Sequence, residues 1–173
     1  MKRIVLIASM ILLSLPLMAQ KDPVDLLFDK YSGKEGYTTV IISSKMFSLF
    51  QDMEVEDEEF NEMMGSLESI RILATDETFK DESINFFDEV MKDLNQKDYE
   101  ELMTVKDAHQ DVKFLIKERN GKIAELLLIS GGGGENAIIS IRGNIDLKTI
   151  SKLSKSMDIE GLEKLEELEE EKK

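Results

Sequence analysis

His109 is the only histidine in the chain, and Asp107 and Asp111 stand two residues to either side of it. On an extended strand alternate side chains share a face, so these three would converge. A histidine between two carboxylates can ligate a divalent metal or exchange a proton with a bound molecule. A polar turn between Val105 and Val112 accounts for the same residues without any chemistry, and a tetrahedral metal site asks for a fourth ligand that the sequence does not offer. Asp107, His109 and Asp111 are therefore the candidate metal ligands, set beside the plainer reading of a turn. No catalytic residue can be named. With one histidine, a Ser-His-Asp triad must use His109, and Ser130 lies in no Gly-x-Ser-x-Gly elbow.

Two further constellations read as structure. Gly131 to Gly134, followed by Glu135-Asn136, could offer backbone amides to an anion. It lacks the Lys-Ser/Thr of a phosphate loop and joins two strands, which fits a mobile hairpin tip. Asp52 to Glu59 holds six acidic residues in eight. Its spacing is not that of a calcium loop, and helix starts favour negative charge. Met46, Met53, Met63, Met64 and Met91 follow helical spacing and read as core filling, although methionine-rich surfaces also grip partners.

The strongest local signal is a hairpin. Val112–Lys117 and Ile123–Ile129 flank Asn120-Gly121, a pair that supplies the two left-handed residues of a two-residue turn. An unbroken ladder from that turn sets Phe114 opposite Leu127, Val112 opposite Ile129, and Leu115 opposite Leu126. Leu115, Leu126 and Leu128 then fall on a second apolar face. That face is expected to be partly covered by a helix, the C-terminal tail or a partner, which makes these leucines the candidate partner-binding residues.

Around the hairpin the pattern alternates between helices and strands. Val24, Leu26, Leu27 and Tyr31 form a short amphipathic helix after Pro23, ended by Gly33 and Gly36. Tyr37–Ser43 is dense in β-branched residues and reads as a buried strand. Ser43 or Ser44 caps a helix with Met46, Leu49, Phe50 and Met53 on one face. Asp57 starts another, with Phe60, Met63 and Met64, stopped by Gly65. Ser69–Thr75 is a second strand. The longest helix is expected between Asp76 and Leu94, with Phe79, Phe86, Phe87, Val90, Met91 and Leu94 inward. Tyr99–Val105 and Ala137–Arg142 add strands. Asp146 caps a helix bearing Leu147, Ile150, Leu153 and Met157. The resulting fold class is α+β: a single domain with a largely antiparallel sheet and a C-terminal β-meander, packed by amphipathic helices.

At the amino end, Lys2 and Arg3 precede an apolar run from Ile4 to Leu17, and Ala19 offers a small residue for cleavage. That is the order of a secretory signal peptide, and the run is too short for a membrane span. The expected organisation is a signal peptide over 1–19, one α+β domain over 20–157, and an acidic C-terminal helix or tail over 158–173. The product would be periplasmic or secreted. The whole chain carries a formal charge of −14, which disfavours nucleic acid and anionic lipid and leaves basic proteins, cationic peptides or divalent metals open. It has no cysteine, so disulfides, thiolate sites and the usual lipid attachment of a bacterial lipoprotein are excluded. Tryptophan is absent and aromatics make up 6%, too few for stacking platforms. No cofactor is expected.

Tyr37-Thr-Thr-Val-Ile-Ile-Ser-Ser-Lys-Met-Phe47, Gly121-Lys-Ile-Ala-Glu-Leu-Leu-Leu-Ile129 and Ile138-Ile-Ser-Ile-Arg-Gly-Asn-Ile-Asp-Leu147 together resemble the domain of unknown function 4252 family, a group of exported proteins of Bacteroidetes. The resemblance covers most of the chain after residue 19. It implies an extracytoplasmic protein with a link to envelope signalling, and it brings no reaction or catalytic residue. Residues and resemblance together point to a non-enzymatic envelope protein that binds another protein or assembles with itself. The alternatives are a metal or small-ligand site at Asp107, His109 and Asp111, or a carrier of an apolar ligand.

Overall fold

β-branched and leucine-rich runs supply six strands that pair into one antiparallel sheet in the order β1-β2-β6-β5-β4-β3. The computed structural model describes residues 21–145 apart from 52–57, 77, 80 and 82. Its elements are α1 (Pro23–Tyr31), β1 (Tyr37–Ser43), α2 (Ser44–Gln51), α3 (Glu58–Ser66), β2 (Leu67–Thr75), α4 (Phe86–Asp93), β3 (Glu100–Lys106), β4 (Asp111–Arg119), β5 (Lys122–Gly131) and β6 (Ala137–Ile145). Strands β3 to β6 are consecutive neighbours and form the expected meander. β2 then pairs with β6, and β1 closes the row as an edge. The α+β fold with its antiparallel sheet stands as expected. The proposed signal peptide, the Asp57 cap, the helix from Asp146 and the 158–173 tail lie outside the described residues.

Strand alternation gives the sheet two apolar faces. One carries Leu73, Leu115, Leu127, Ile129 and Ile138 and packs against Val24, Leu27 and Phe28 of α1 and Phe86, Phe87 and Val90 of α4. The other carries Ile70, Phe114, Leu126, Leu128 and Ile141 and packs with Phe47 of α2 and Met63 and Met64 of α3. Asp22 caps α1 by accepting from the Val24 amide at 2.9 Å, with Pro23 in the first turn, where its missing N–H costs nothing.

Four expectations change. The Asn120-Gly121 turn forms, with both residues at positive φ (55° and 75°). The ladder beyond it slips by one, however, because Ala124 is an extra residue between Ile123, opposite Glu118, and Glu125, opposite Lys117. Phe114 therefore faces Leu128, and Leu115 faces Leu127. A bulge reassigns every later side chain to the other partner, which turn chemistry alone does not reveal. The long helix expected from Asp76 is only Phe86–Asp93. Asp81 holds the amide and hydroxyl of Ser83 in a local turn, and Asn85 caps the helix late. Helix α3 runs through Gly65 to Ser66. A Cβ at Gly65 would meet only the movable end of the Gln51 side chain. In α2 the buried residue is Phe47, while Met46 and Leu49 are 45% and 51% exposed. The helix turns its phenylalanines inward instead of the stripe through Met46 and Leu49.

Candidate interaction surface and the buried polar cluster

Asp107 and His109 lie in a turn between β3 and β4, and Asp111 is the first residue of β4. The Asp107 carboxylate accepts from the backbone amides of His109 (2.7 Å) and Gln110 (2.8 Å). Those two amides, His109 first, hold its pKa below the ordinary carboxylate value. Asp111 begins β4 and pairs with Lys106 at 3.4 Å. Among the described residues no three His, Asp or Glu side chains converge as a metal site. The turn thus corrects the expectation of a shared face, because alternation applies only to extended backbone.

The glycine loop packs against that turn. Gly132 has φ 116°, and a Cβ there would strike the His109 carbonyl oxygen. At Gly131 a Cβ would strike Asn85 and the Phe87 amide. The small residues let the start of α4 sit down on the end of β5. Asn136 completes the joint: it is 3% exposed, its backbone N–H donates to Thr75 Oγ1 (2.9 Å), and its side-chain Oδ1 accepts from the buried Phe86 amide (2.9 Å).

Leu115, Leu126 and Leu128 are 4%, 1% and 6% exposed. Leu115 lies in the cluster beneath α1 and α4, and the other two lie in the opposite cluster. The slipped register separates them, and their burial in the chain's own clusters removes them as open partner contacts. Of the methionines, Met63 and Met64 are core, Met91 packs against it, and Met46 faces solvent. Met53 lies outside the described residues.

A cluster that the sequence did not announce sits under the start of α1. Glu125 interrupts the apolar run of β5 and is 4% exposed. It accepts from Tyr99 Oη (2.9 Å), Ser140 Oγ (2.6 Å) and Arg142 Nε (2.8 Å). Arg142 also reaches Asp22 (3.3 Å) and Asp25 (3.8 Å), and Arg71 pairs with Asp25 while stacking over the Phe28 ring. Burial pushes the Tyr99 hydroxyl far above its ordinary range, with the Glu125 charge adding to the shift. For Arg142, burial works against the charge, but Glu125 and the α1 aspartates outweigh it and raise its pKa. The available signal was a single Glu in Ile123–Ile129 and a single Arg in Ile138–Ile145: two strands on which one charge each had to find the other. Each Glu125 oxygen is engaged, so the cluster works as a clamp of α1 onto the sheet. A recess of about 350 Å³ beside it is lined by Asp22, Glu68, Lys117, Arg119 and Arg142 among others.

The remaining feature is an edge. Among the described residues β1 pairs only with β2, and the strand contains no charged residue. Val40 (38% exposed) and Ile41 (62%) project from it to opposite faces, and Val40 shares its face with Ile42 and with α2, whose Met46 and Leu49 are exposed. The other edge, β3, carries exposed Glu100, Glu101 and Lys106 and a bulge between Glu101 and Met103. Charges and bulges are how proteins keep an edge from pairing. Among the described residues, one edge of this sheet has those protections, and the other lacks them.

The class these features define is an α+β domain with one antiparallel sheet and helices on both faces. The chain belongs to the family described as Domain of unknown function (DUF4252), whose family model matches residues 31–153. No curated protein and no solved structure matches it significantly. Among the described residues no helix is long and apolar enough to cross a membrane.

Proposed function

We propose that this is an exported, non-enzymatic protein of the cell envelope that acts by holding another protein chain along the open edge of β1, in a role linked to envelope signalling. The edge of β1, uncharged and unguarded among the described residues and flanked by exposed Val40, Ile41, Met46 and Leu49, carries this reading. An extended segment placed there gains main-chain hydrogen bonds from the edge and side-chain contact with Val40, Ile41, Met46 and Leu49. The structural roles of the acidic groups support a binding role over a catalytic one: buried Glu125 serves a clamp, and exposed Asp107 serves a turn.

Two measurements test it. A photo-crosslinking residue at position 41, compared with one at position 92 on exposed α4, is expected to give discrete protein adducts in the producing cell at position 41 alone. Monomer only at both positions overturns the contact reading. Terminal mass analysis of the same material is expected to find Gln20 first; an intact Met1 on cytosolic protein overturns export.

A further inference from the structure

We infer that residues 146–157, which follow β6, form a helix that closes the β5–β4–β3 half of the sheet face shared with α2 and α3. Among the described residues, α2 and α3 are the helices on this face. Helix α2 packs on β1 and β2, and α3 packs on β6. A helix with its side chains is about 10–12 Å across, and neighbouring strands lie about 4.8 Å apart, so a helix seated on β6 ends over β5. The burial goes on beyond that point. β4 lies two strands from β6, yet Phe114 and Ile116 on it are only 2% and 5% exposed and belong to this face's cluster. Met103 of β3, opposite Phe114, is half-buried as well.

The chain supplies a cover beside that strip. β6 ends at Ile145, which pairs with Ile123 of β5, and both belong to the same apolar cluster. Residues 146–173 continue from there. On a helix, Leu147, Ile150, Leu153 and Met157 fall within about 120° of one another, and Lys148, Lys152 and Lys155 gather on the opposite side. Twelve residues of helix span about 18 Å, enough to lie along Ile116, Phe114 and Val112 of β4, which cover about 14 Å. Residues 52–57, also outside the described residues, are a poor alternative: they join α2 to α3, and four of the six are acidic. The family model gives separate support. It runs past β6 to residue 153 and stops before the acidic run from 158, so Leu147, Ile150 and Leu153 fall within the domain.

Docking of the apolar stripe on β5–β4–β3 turns the three lysines outward, as a cationic ridge on a chain whose formal charge is −14. The chain itself then closes this half of the sheet, whatever occupies the β1 edge at the other side. An amphipathic segment with a lysine face can also lie on an anionic lipid surface. The burial of Phe114 and Ile116 favours the sheet, because a segment spent on lipid leaves β4 open to water.

Crosslinking and melting of the purified chain test this. A photo-crosslinking residue at position 103, half-buried on β3, is expected to link within the molecule to the peptide that holds residues 146–157. Ile150→Ser and Leu153→Ser should each lower Tm by roughly 10 °C, because each leaves a void and a hydroxyl in a packed face. Lys152→Ser, on the outward side, should stay within about 2 °C of wild type. A wild-type Tm in both apolar-to-serine variants overturns the closure. Links from position 103 only to a second molecule, or to no part of 146–157, overturn it too. Binding of the chain to phosphatidylglycerol vesicles that Leu153→Ser abolishes without lowering Tm would place the segment on lipid instead.

Discussion

Glu125 and Arg142 are cross-strand partners on β5 and β6, and Arg142 Nε donates to Glu125 Oε1 over 2.8 Å. The pair links two layers. Its carboxylate end is buried in the sheet with Ser140 and Tyr99, and its guanidinium end faces Asp22 and Asp25 at the start of α1. Asp22 also caps that helix. One arginine therefore ties the helix cap to a carboxylate within the sheet, and the position of α1 depends on charge as well as on Val24, Leu27 and Phe28.

The first prediction follows from the asymmetry of such pairs. Glu125→Ala leaves Arg142, Ser140 and Tyr99 without their shared acceptor and should cost about 3 kcal/mol or more, as broken buried pairs do. Replacing both charges, Glu125→Leu with Arg142→Met, should cost markedly less than the single change, because no unmatched charge remains buried. Urea unfolding of the three proteins checks the order.

Tyr99 gives a pH signature. Its folded-state pKa lies far above the ordinary 10.0, from burial first and the Glu125 charge second. Below pH 10 folded and unfolded chains both hold the proton, and the full stability is present. As pH rises through the unfolded value, the unfolded chain releases the proton first, so stability falls. Tyr99→Phe should unfold more easily at pH 7, by about 1 kcal/mol, and should lose less of its stability between pH 9 and pH 11 than the wild type. Chemical denaturation across that range measures both.

Much of the fold was legible because strands of β-branched residues and a single Asn-Gly turn carry local signals. β1, β2 and the meander stand near their expected bounds. The site was less legible because it depends on what lies between elements. Ala124 carries no mark of a bulge; its extra place is defined only when β5 pairs with β4 on one side and β6 on the other. That one residue moved Leu115 away from Leu126 and set Glu125 where Tyr99 and Arg142 meet it. His109 misled for the converse reason: alternation in sequence implies a shared face only where the backbone is extended, and Asp107 bends it. The openness of β1 was likewise hidden, since the run Tyr37–Ser43 reads as a buried strand and only sheet order reveals an edge.

Changing the length of β5 tests the register argument directly. Deleting Ala124 leaves Ile123 opposite Glu118 and Glu125 opposite Lys117 in an unbroken ladder, so Glu125, Leu126 and Leu128 keep their partners and faces. The deletion should still unfold cooperatively, with a modest loss of Tm. An alanine inserted between Glu125 and Leu126 instead turns Leu126 and Leu128 toward the α1–α4 side. A one-residue slip exchanges the two faces of a strand, so the insertion should abolish cooperative thermal unfolding. Calorimetry separates the two.

The start of α4 offers the last prediction, because two asparagines serve neighbouring amides in different surroundings. Asn136 Oδ1 accepts from the Phe86 amide in a buried position, while Asn85 Oδ1 accepts from the Asp88 amide at an exposed one. Water can replace the second acceptor but not the first. Asn136→Ala should therefore cost about 2 kcal/mol or more, and Asn85→Ala about 1 kcal/mol. Hydrogen exchange should show the same difference locally. The Phe86 amide loses protection in Asn136→Ala yet keeps most of it in Asn85→Ala, whose effect centres on Asp88. Equal losses in both variants would mean that Asn136 contributes only as an exposed cap does, and that Gly131 and the apolar contacts of Phe86 seat the helix on β5 by packing alone.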